Sequence, residues 1–328
     1  MNNDNLERKM KIAMIGCGAM SEFHLDAIRG VGLEITDIAA SPNSQKVRNF
    51  ADRHMIPNVW ANPVQLIEDG DWNGLIISSS IDSTFGLLQH AIARDIPVLV
   101  EKPVTSQSNI LSQVNLANPK VMVGYNRRFY PAFQEMKKTL EATGPSMISV
   151  EIPEILKESS IDTFVKFQNV RENSVHVFDL LRFLAGEIEI LSLKKLQSSK
   201  KNEGTLAILQ SNRGHLISVV MNYNASSNFK INIDDGVSRY KFDPLEEVAI
   251  YKGMDISEPK KGQTTRSYRP KLILSKRSDP EEGLYKPGFF GQASAFRKMV
   301  LGEESNFHAS LEDALKALKI AEALTSSE

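Results

Sequence analysis

Two stretches of the chain carry side chains able to move a proton beside an apolar wall. In Glu172-Asn173-Ser174-Val175-His176 a carboxylate and an imidazole stand four residues apart, on one face if the segment is helical. Histidine titrates near pH ~6.5, and an alcohol that gives up hydride must also lose its hydroxyl proton to such a group. Taken alone, a histidine on an apolar helix also reads as a packed core residue, and both readings stand at this point. Asp179, three residues on, reads as structural. Lys102 follows the apolar run IPVLV (96–100) in Glu101-Lys102-Pro103. A lysine at the carboxyl end of a parallel strand projects into the crevice where α/β sheets bind ligands, and the proline stiffens the turn. On spacing alone this is equally well a surface turn.

A third stretch suits a phosphate. Gly16-Cys17-Gly18-Ala19-Met20-Ser21 follows the apolar strand KIAMI (11–15) and opens a helical pattern through Leu25, Ile28 and Val31. In a dinucleotide fold the first glycine makes the tight turn and the second admits the pyrophosphate to free N–H groups. Ser21 fills the third place, small enough for close helix–strand contact. The end of the second strand normally carries an acid for the ribose 2′-hydroxyl of NAD. Here that place is Ser41, in Ser41-Pro42-Asn43-Ser44, while Asp37 lies earlier, inside the strand. Ser41 with Lys46 and Arg48 suits the 2′-phosphate of NADP and tilts the expected cofactor from NAD toward NADP; both basic residues also read as solvated helix positions.

The elements that must position these groups follow from the hydrophobic pattern. Short apolar strands at 11–15, 34–40, 75–79, 96–100 and 120–124 alternate with helical stretches such as 85–94, which predicts a doubly wound parallel sheet covered on both faces. After Pro131 the pattern changes to helices at 132–142 and 173–185 and a series of long strands over 188–252, predicting an α+β domain with an open, mainly antiparallel sheet. Residues 253–288, rich in Lys, Arg, Ser, Pro and Gly, read as a long loop, and helices at 289–301 and 310–325 close the chain. The expected division is residues 1–125 as a nucleotide-binding domain and 126–328 as a substrate-binding and oligomerisation domain, with the helices of 289–325 packing back.

Composition narrows the class of function. At 328 residues, with 41% apolar and 24% charged residues, the chain has the makeup of a globular protein of about two domains. Thirty-nine basic against forty acidic residues give a net charge of −1, without the positive field that nucleic acid attracts. One cysteine, Cys17, excludes an internal disulfide and a cysteine-cluster metal site, and the remaining histidines show no ligand spacing, so no metal is expected. The polar start MNNDNLERKMK lacks an apolar signal segment and no apolar run reaches a membrane span, so a cytoplasmic protein is expected, with neither nucleic acid nor membrane as partner. No GxSxG or P-loop sequence is present.

The segments KIAMIGCGAM, VLVEKPV, VMVGYNRRFYP, HVFDLLRFLAG and GFFGQASAFRKMV…SLEDALKALKIAEAL, in this order over nearly the whole chain, resemble the Gfo/Idh/MocA oxidoreductases. The three serines before Asp82, the NRRF motif and the short length resemble its MviM-like branch. The resemblance implies an N-terminal Rossmann domain, a C-terminal open sheet that mediates homodimer or homotetramer formation, and hydride transfer between NAD(P) and a sugar, polyol or nucleotide-sugar alcohol in the cleft between domains. It implies that Lys102 is the catalytic-site lysine, with a cis bond before Pro103, and that His176 is the acid/base group oriented by Glu172. Arg127 and Arg128 of NRRF become candidates for substrate binding, or for a structural pin. The cofactor is expected along Gly16, Gly18, Ala19, Met20, Ser41, Ser79 and Ser80, with its nicotinamide near Glu101 and Lys102. Three departures stand out: Glu172 replaces the usual aspartate, Ser174 the usual glycine, and Ser79-Ser80-Ile81-Asp82 the usual Thr-Pro-Asn and histidine after strand four. They motivate the alternative expectation of a catalytically weak nucleotide- or metabolite-sensing protein on the same fold.

Overall fold

The computed structural model describes residues 10–42, 44–157, 160, 162–196, 203–262, 264–281 and 283–326. The polar start and Asn43 therefore lie outside the described residues. In chain order the elements are β1 (Lys11–Ile15), α1 (Ala19–Gly30), β2 (Glu34–Ala39), α2 (Gln45–His54), β3 (Asn58–Trp60), α3 (Pro63–Asp69), β4 (Gly74–Ile77), α4 (Ile81–Ala93), β5 (Val98–Val100), α5 (Ser108–Leu111) and β6 (Val121–Val123). Then follow α6 (Pro131–Thr143), β7 (Met147–Ile152), α7 (Thr163–Lys166), α8 (Val175–Ala185), β8 (Ile188–Leu196), β9 (Gly204–Ser211), β10 (Leu216–Asn222), β11 (Lys230–Asp234), β12 (Ser238–Phe242), β13 (Glu247–Ser257), β14 (Ser267–Arg277), α9 (Phe289–Val300) and α10 (Leu311–Thr325).

Two compact units emerge. The first runs to Phe129 and adds Arg171–Asp179 and Glu281–Ile320; the second holds Tyr130–Val170, Leu180–Pro280 and the residues from Ala321 on. The first unit contains a parallel sheet of order β3-β2-β1-β4-β5-β6. Its central strands are apolar on both faces because both are covered: Met14, Ile76, Leu99 and Met122 are buried on one face, and Ile15, Ile77, Val100 and Val123 on the other. Strand order reverses between β1 and β4, so the chain leaves these neighbours in opposite directions and opens a crevice at their carboxyl ends. α9 contributes Phe289, Ala293 and Phe296 to the same core.

The second unit is built on the sheet β14-β13-β12-β11-β7-β10-β9-β8, antiparallel at every pairing except β10 with β7. Its buried rows include Ile148, Val150, Leu209, Ile217, Val219, Ile231 and Ile233. The loop expected over 253–288 is instead largely a hairpin: β13 extends to Ser257 and β14 occupies Ser267–Arg277. All eleven residues of β14 are exposed. A strand with no core to face has no in–out alternation to betray it, and its proline and lysines suit an edge.

One buried ion cluster explains why residues 171–179 and the start of α10 belong to the first unit. Arg128 donates from Nε and Nη2 to the two carboxylate oxygens of Asp179 at 2.8 and 2.6 Å, and from Nη1 to Asp313 and the His308 carbonyl at 3.3 Å each. Burial of the guanidinium opposes its charge, but Asp179 and Asp313 outweigh this and raise its pKa further. Removing one partner of such a pair leaves a buried uncompensated charge. Asp179→Ala is expected to cost about 3–5 kcal/mol of stability, read as a lowered melting temperature, whereas Arg128→Met with Asp179→Leu recovers most of it; an unchanged melt for the single variant contradicts the anchoring role.

Candidate active site

The glycine loop stands at the carboxyl end of β1, tied to both neighbours. Gly16 N–H donates to the Ala39 carbonyl and Ser78 N–H to the Ile15 carbonyl, each at 2.8 Å. Gly16 has φ +117°, and a Cβ there would lie 2.0 Å from the Ser78 carbonyl oxygen, so only glycine fits. Ser21 in the third glycine place is fully buried, with Oγ 3.3 Å from Ser78 Oγ. At Gly18 a Cβ would meet nothing within 4 Å: the turn does not need this glycine, and the space in front of it is open. Ser21 and Glu22 N–H groups close back on the Gly18 carbonyl, and among the described residues those of Cys17 to Met20 have no carbonyl partner at the N-terminus of α1.

This cradle forms one end of a groove of about 570 Å³ lined by Gly16, Cys17, Gly18, Ala19, Met20, Ser41, Lys46, Ser78, Ser79, Ser80, Glu101 and Lys102. The volume and the free N–H row fit a dinucleotide. Beyond β2 the lining is Ala40, Ser41, Pro42, Ser44 and Lys46, with no carboxylate among the described residues. Lys46 faces the loop closely enough to act on Cys17, whose thiol is pushed up by burial and drawn partly back by the lysine. Asp37 stays inside β2, its carboxylate accepting from Trp60 Nε1 and Thr36 Oγ1 at 2.7 Å each. Ser79 and Ser80 close the first turn of α4 through Thr84 at 2.9 Å and Ser83 at 3.1 Å.

At the carboxyl end of β5, Glu101 is buried. Its Oε1 lies 2.7 Å from His24 Nε2 on α1, and its Oε2 accepts from the Lys102 N–H at 3.1 Å. Gly124 leaves room for this side chain, since a Cβ there would stand 3.2 Å from its carboxyl group. The Lys102–Pro103 bond is cis. Lys102 Nζ donates to the backbone carbonyl of Glu172 at 3.0 Å, which brings the lysine to the start of the histidine segment.

His176 is buried, with the Tyr125 ring edge-on at 5.7 Å. Burial pushes its imidazole well below its ordinary pKa, and the positive charges of Lys102, Arg127 and Lys286 push in the same direction. The ring is therefore neutral in the physiological range, with an unprotonated nitrogen, and the same causes make it a weaker base than an ordinary histidine. Among the described residues the expected orienting contact from Glu172 is not made. Residues Val170–Ser174 form a π-helical turn, not the start of an α-helix. The Glu172 carboxylate accepts instead from Ser106 Oγ at 3.3 Å, and Nδ1 of His176 has no hydrogen-bond partner among the described residues. Arg128, expected at the substrate, is committed to Asp179 and Asp313 and acts as the pin; Arg127 remains beside His176.

One residue beside the groove has no signal in the sequence. Lys286, in the segment before α9, places Nζ 4.5 Å from the Phe23 ring centroid and 4.0 Å from Met20 Sδ. Nothing local marks it: it is a lysine in a polar stretch, and only the fold brings it to α1. Among the described residues no group of three or more His, Cys, Asp or Glu is placed to hold a metal ion, and no helix is long and apolar enough to cross a membrane.

Residues 10–125 match the Gfo/Idh/MocA model, an oxidoreductase family with an NAD-binding Rossmann fold. The chain is 25% identical over 240 residues to inositol 2-dehydrogenase 4 of Saccharopolyspora erythraea, covering 69% of this chain and 71% of the relative. It is 26% identical over 253 residues to inositol 2-dehydrogenase of Pseudarthrobacter chlorophenolicus, covering 70% and 72%. Among solved structures it is similar to a levoglucosan dehydrogenase in complex with NADH and levoglucosan (TM-score 0.73, 17% identity, 96% and 95% of the chains). It is also similar to the dehydrogenase MviM of Clostridium difficile (TM-score 0.72, 17% identity, 97% and 99%). These structural likenesses establish the fold.

The two loop glycines separate folding from binding. Gly16→Ala is expected to lower the melting temperature sharply, since positive φ and the Ser78 carbonyl both oppose the new methyl group. Gly18→Ala is expected to melt like the wild type yet lose NADPH affinity, because its methyl group occupies the open approach. Thermal melts with nucleotide titration check both; equal behaviour of the two variants contradicts the geometry.

Proposed function

We propose that the protein is an NAD(P)-dependent oxidoreductase that transfers hydride between the nicotinamide and an alcohol group of a sugar, polyol or nucleotide sugar. The observation that carries this reading is that one unit holds the phosphate cradle at Gly16–Met20 together with Lys102 and His176. The inositol dehydrogenases among the relatives, and the levoglucosan dehydrogenase among the similar structures, support the substrate class. The likeness to the MviM structure, at 17% identity, is one of fold, and the NRRF motif with the three serines before Asp82 supports the MviM-like branch.

When bound, the nicotinamide supplies the hydride acceptor, or the donor in the reverse direction. Lys102, its side chain fixed by the Glu172 carbonyl, directs positive charge at the reacting oxygen and favours the developing alkoxide. His176, neutral in its buried setting, takes up the hydroxyl proton. Arg127 adds positive charge beside the ring, and Glu101, held by His24, sets the wall of the groove at Lys102. Ser41 and Lys46, with no acid at the end of β2, support NADP over NAD.

The second unit supports a homodimer or homotetramer through its sheet: Met147, Leu206, Leu216 and Val220 lie on one face of neighbouring strands β7, β10 and β9, all exposed. A chain of this kind works in the cytoplasm, where NAD(P) is held.

Screening sugars, polyols and nucleotide sugars with NADP and NAD tests the reading. A substrate that reduces the cofactor is expected, with Lys102→Met and His176→Gln each lowering kcat by roughly 10²–10⁴-fold while the melting temperature holds. Cofactor binding without turnover across the whole panel favours a sensing protein instead.

A further inference from the structure

A residue from outside the nucleotide-binding segment stands beside the groove, against Met20 of its lining. Lys286 lies more than 150 residues beyond the last strand of that sheet, yet its amino group stands over the first turn of α1. It is 4.0 Å from Sδ of Met20, the second residue of the helix, and 4.5 and 5.8 Å from the ring centroids of Phe23 and Phe289. Among the described residues no carboxylate lies within ion-pair distance of it, and the contacts of this half-buried ammonium are two rings and a sulfur. Beside it, the N–H groups of Cys17 to Met20 have no carbonyl partner. A cation and a row of unpaired donors on one helical turn call for a doubly charged anion. The Phe23 and Phe289 rings hold the ammonium in place without neutralising it, as cation–π contacts do.

We propose that Lys286 is a cofactor-binding residue that pairs with the pyrophosphate of NAD(P) at the N-terminus of α1. This rests on the oxidoreductase reading but assigns a specific electrostatic role to a residue beyond residues 10–125. The same charge acts on His176, so pairing it with phosphate offsets part of its repulsion on the ring.

Equilibrium titration of wild type, Lys286→Met and Lys286→Arg with NADPH, ADP-ribose and adenosine tests the assignment, followed by fluorescence or calorimetry at low and high salt. Lys286→Met is expected to raise the Kd for NADPH and ADP-ribose roughly tenfold or more and to flatten their salt dependence. Adenosine, which has no phosphate, is unaffected, and Lys286→Arg restores affinity. Melting temperatures of the unliganded variants control for folding; if Lys286→Met melts early, the salt dependence of Lys286→Gln replaces it. Unchanged Kd and salt slope in the variant, with tight binding by the wild type, overturn the Lys286 assignment alone. If the wild type binds neither NADPH nor NADH, the oxidoreductase reading falls and the assignment with it.

Discussion

The site depends on one buried ion pair. Arg128 and Asp179 meet in a bidentate contact, with Asp313 and the His308 carbonyl on the remaining nitrogen, and this draws one turn of α8 into the unit that holds the parallel sheet. His176 lies three residues before Asp179, so the anchor fixes the height and rotation of the imidazole. Glu172, at the other end of the same segment, offers its carbonyl to Lys102. The histidine segment is thus fastened at both ends, by a charge pair after the ring and by a lysine before it. A buried pair of this kind adds little net stability over apolar packing; what it adds here is register.

Electrostatics follow from that placement. Lys102, Arg127 and Lys286 reach His176 from three separate parts of the first unit, and all three disfavour the imidazolium. A histidine in that setting carries no proton to begin with, the state a general base starts from, while the same charges weaken its basicity. The glycine cradle has the complementary property: free N–H groups at the start of α1 and open space before Gly18. Positive potential therefore extends from the cradle to the ring, where a dinucleotide phosphate and a developing alkoxide both carry negative charge.

Much of this was legible in the sequence because it rests on local chemistry. Gly16, Gly18 and Ser21 follow a strand and open a helix: Gly16 sits in a turn that leaves no room for a Cβ, Gly18 faces open space, and Ser21 packs against Ser78. Lys102 at the end of β5 was visible for the same reason, since an apolar run stopped by Glu-Lys-Pro marks a strand end. What stayed hidden depends on long-range packing. The π-helical turn at Val170–Ser174 changes the face Glu172 presents, and helical spacing alone gave the wrong partner for His176. Arg128 and Arg127 are adjacent and chemically equal in sequence; only the positions of Asp179 and Asp313 show which is the pin. Lys286 sits in a polar stretch with no periodicity, and β14, exposed along its whole length, carries no alternation to read.

The central claim is that His176 is held neutral beside Lys102 and so serves as the base. The direct measurement is an NMR titration of ¹³C-histidine-labelled protein, with the resonance of His176 assigned by its loss in His176→Gln. A depressed pKa means that the folded protein keeps this ring unprotonated while an ordinary histidine, at 6.5, takes up its proton. The expected result is a resonance that stays at its neutral position as the pH falls from 8 through about 6. A midpoint at or above 6.5 would contradict it, for the imidazole would then be charged where the base must be neutral.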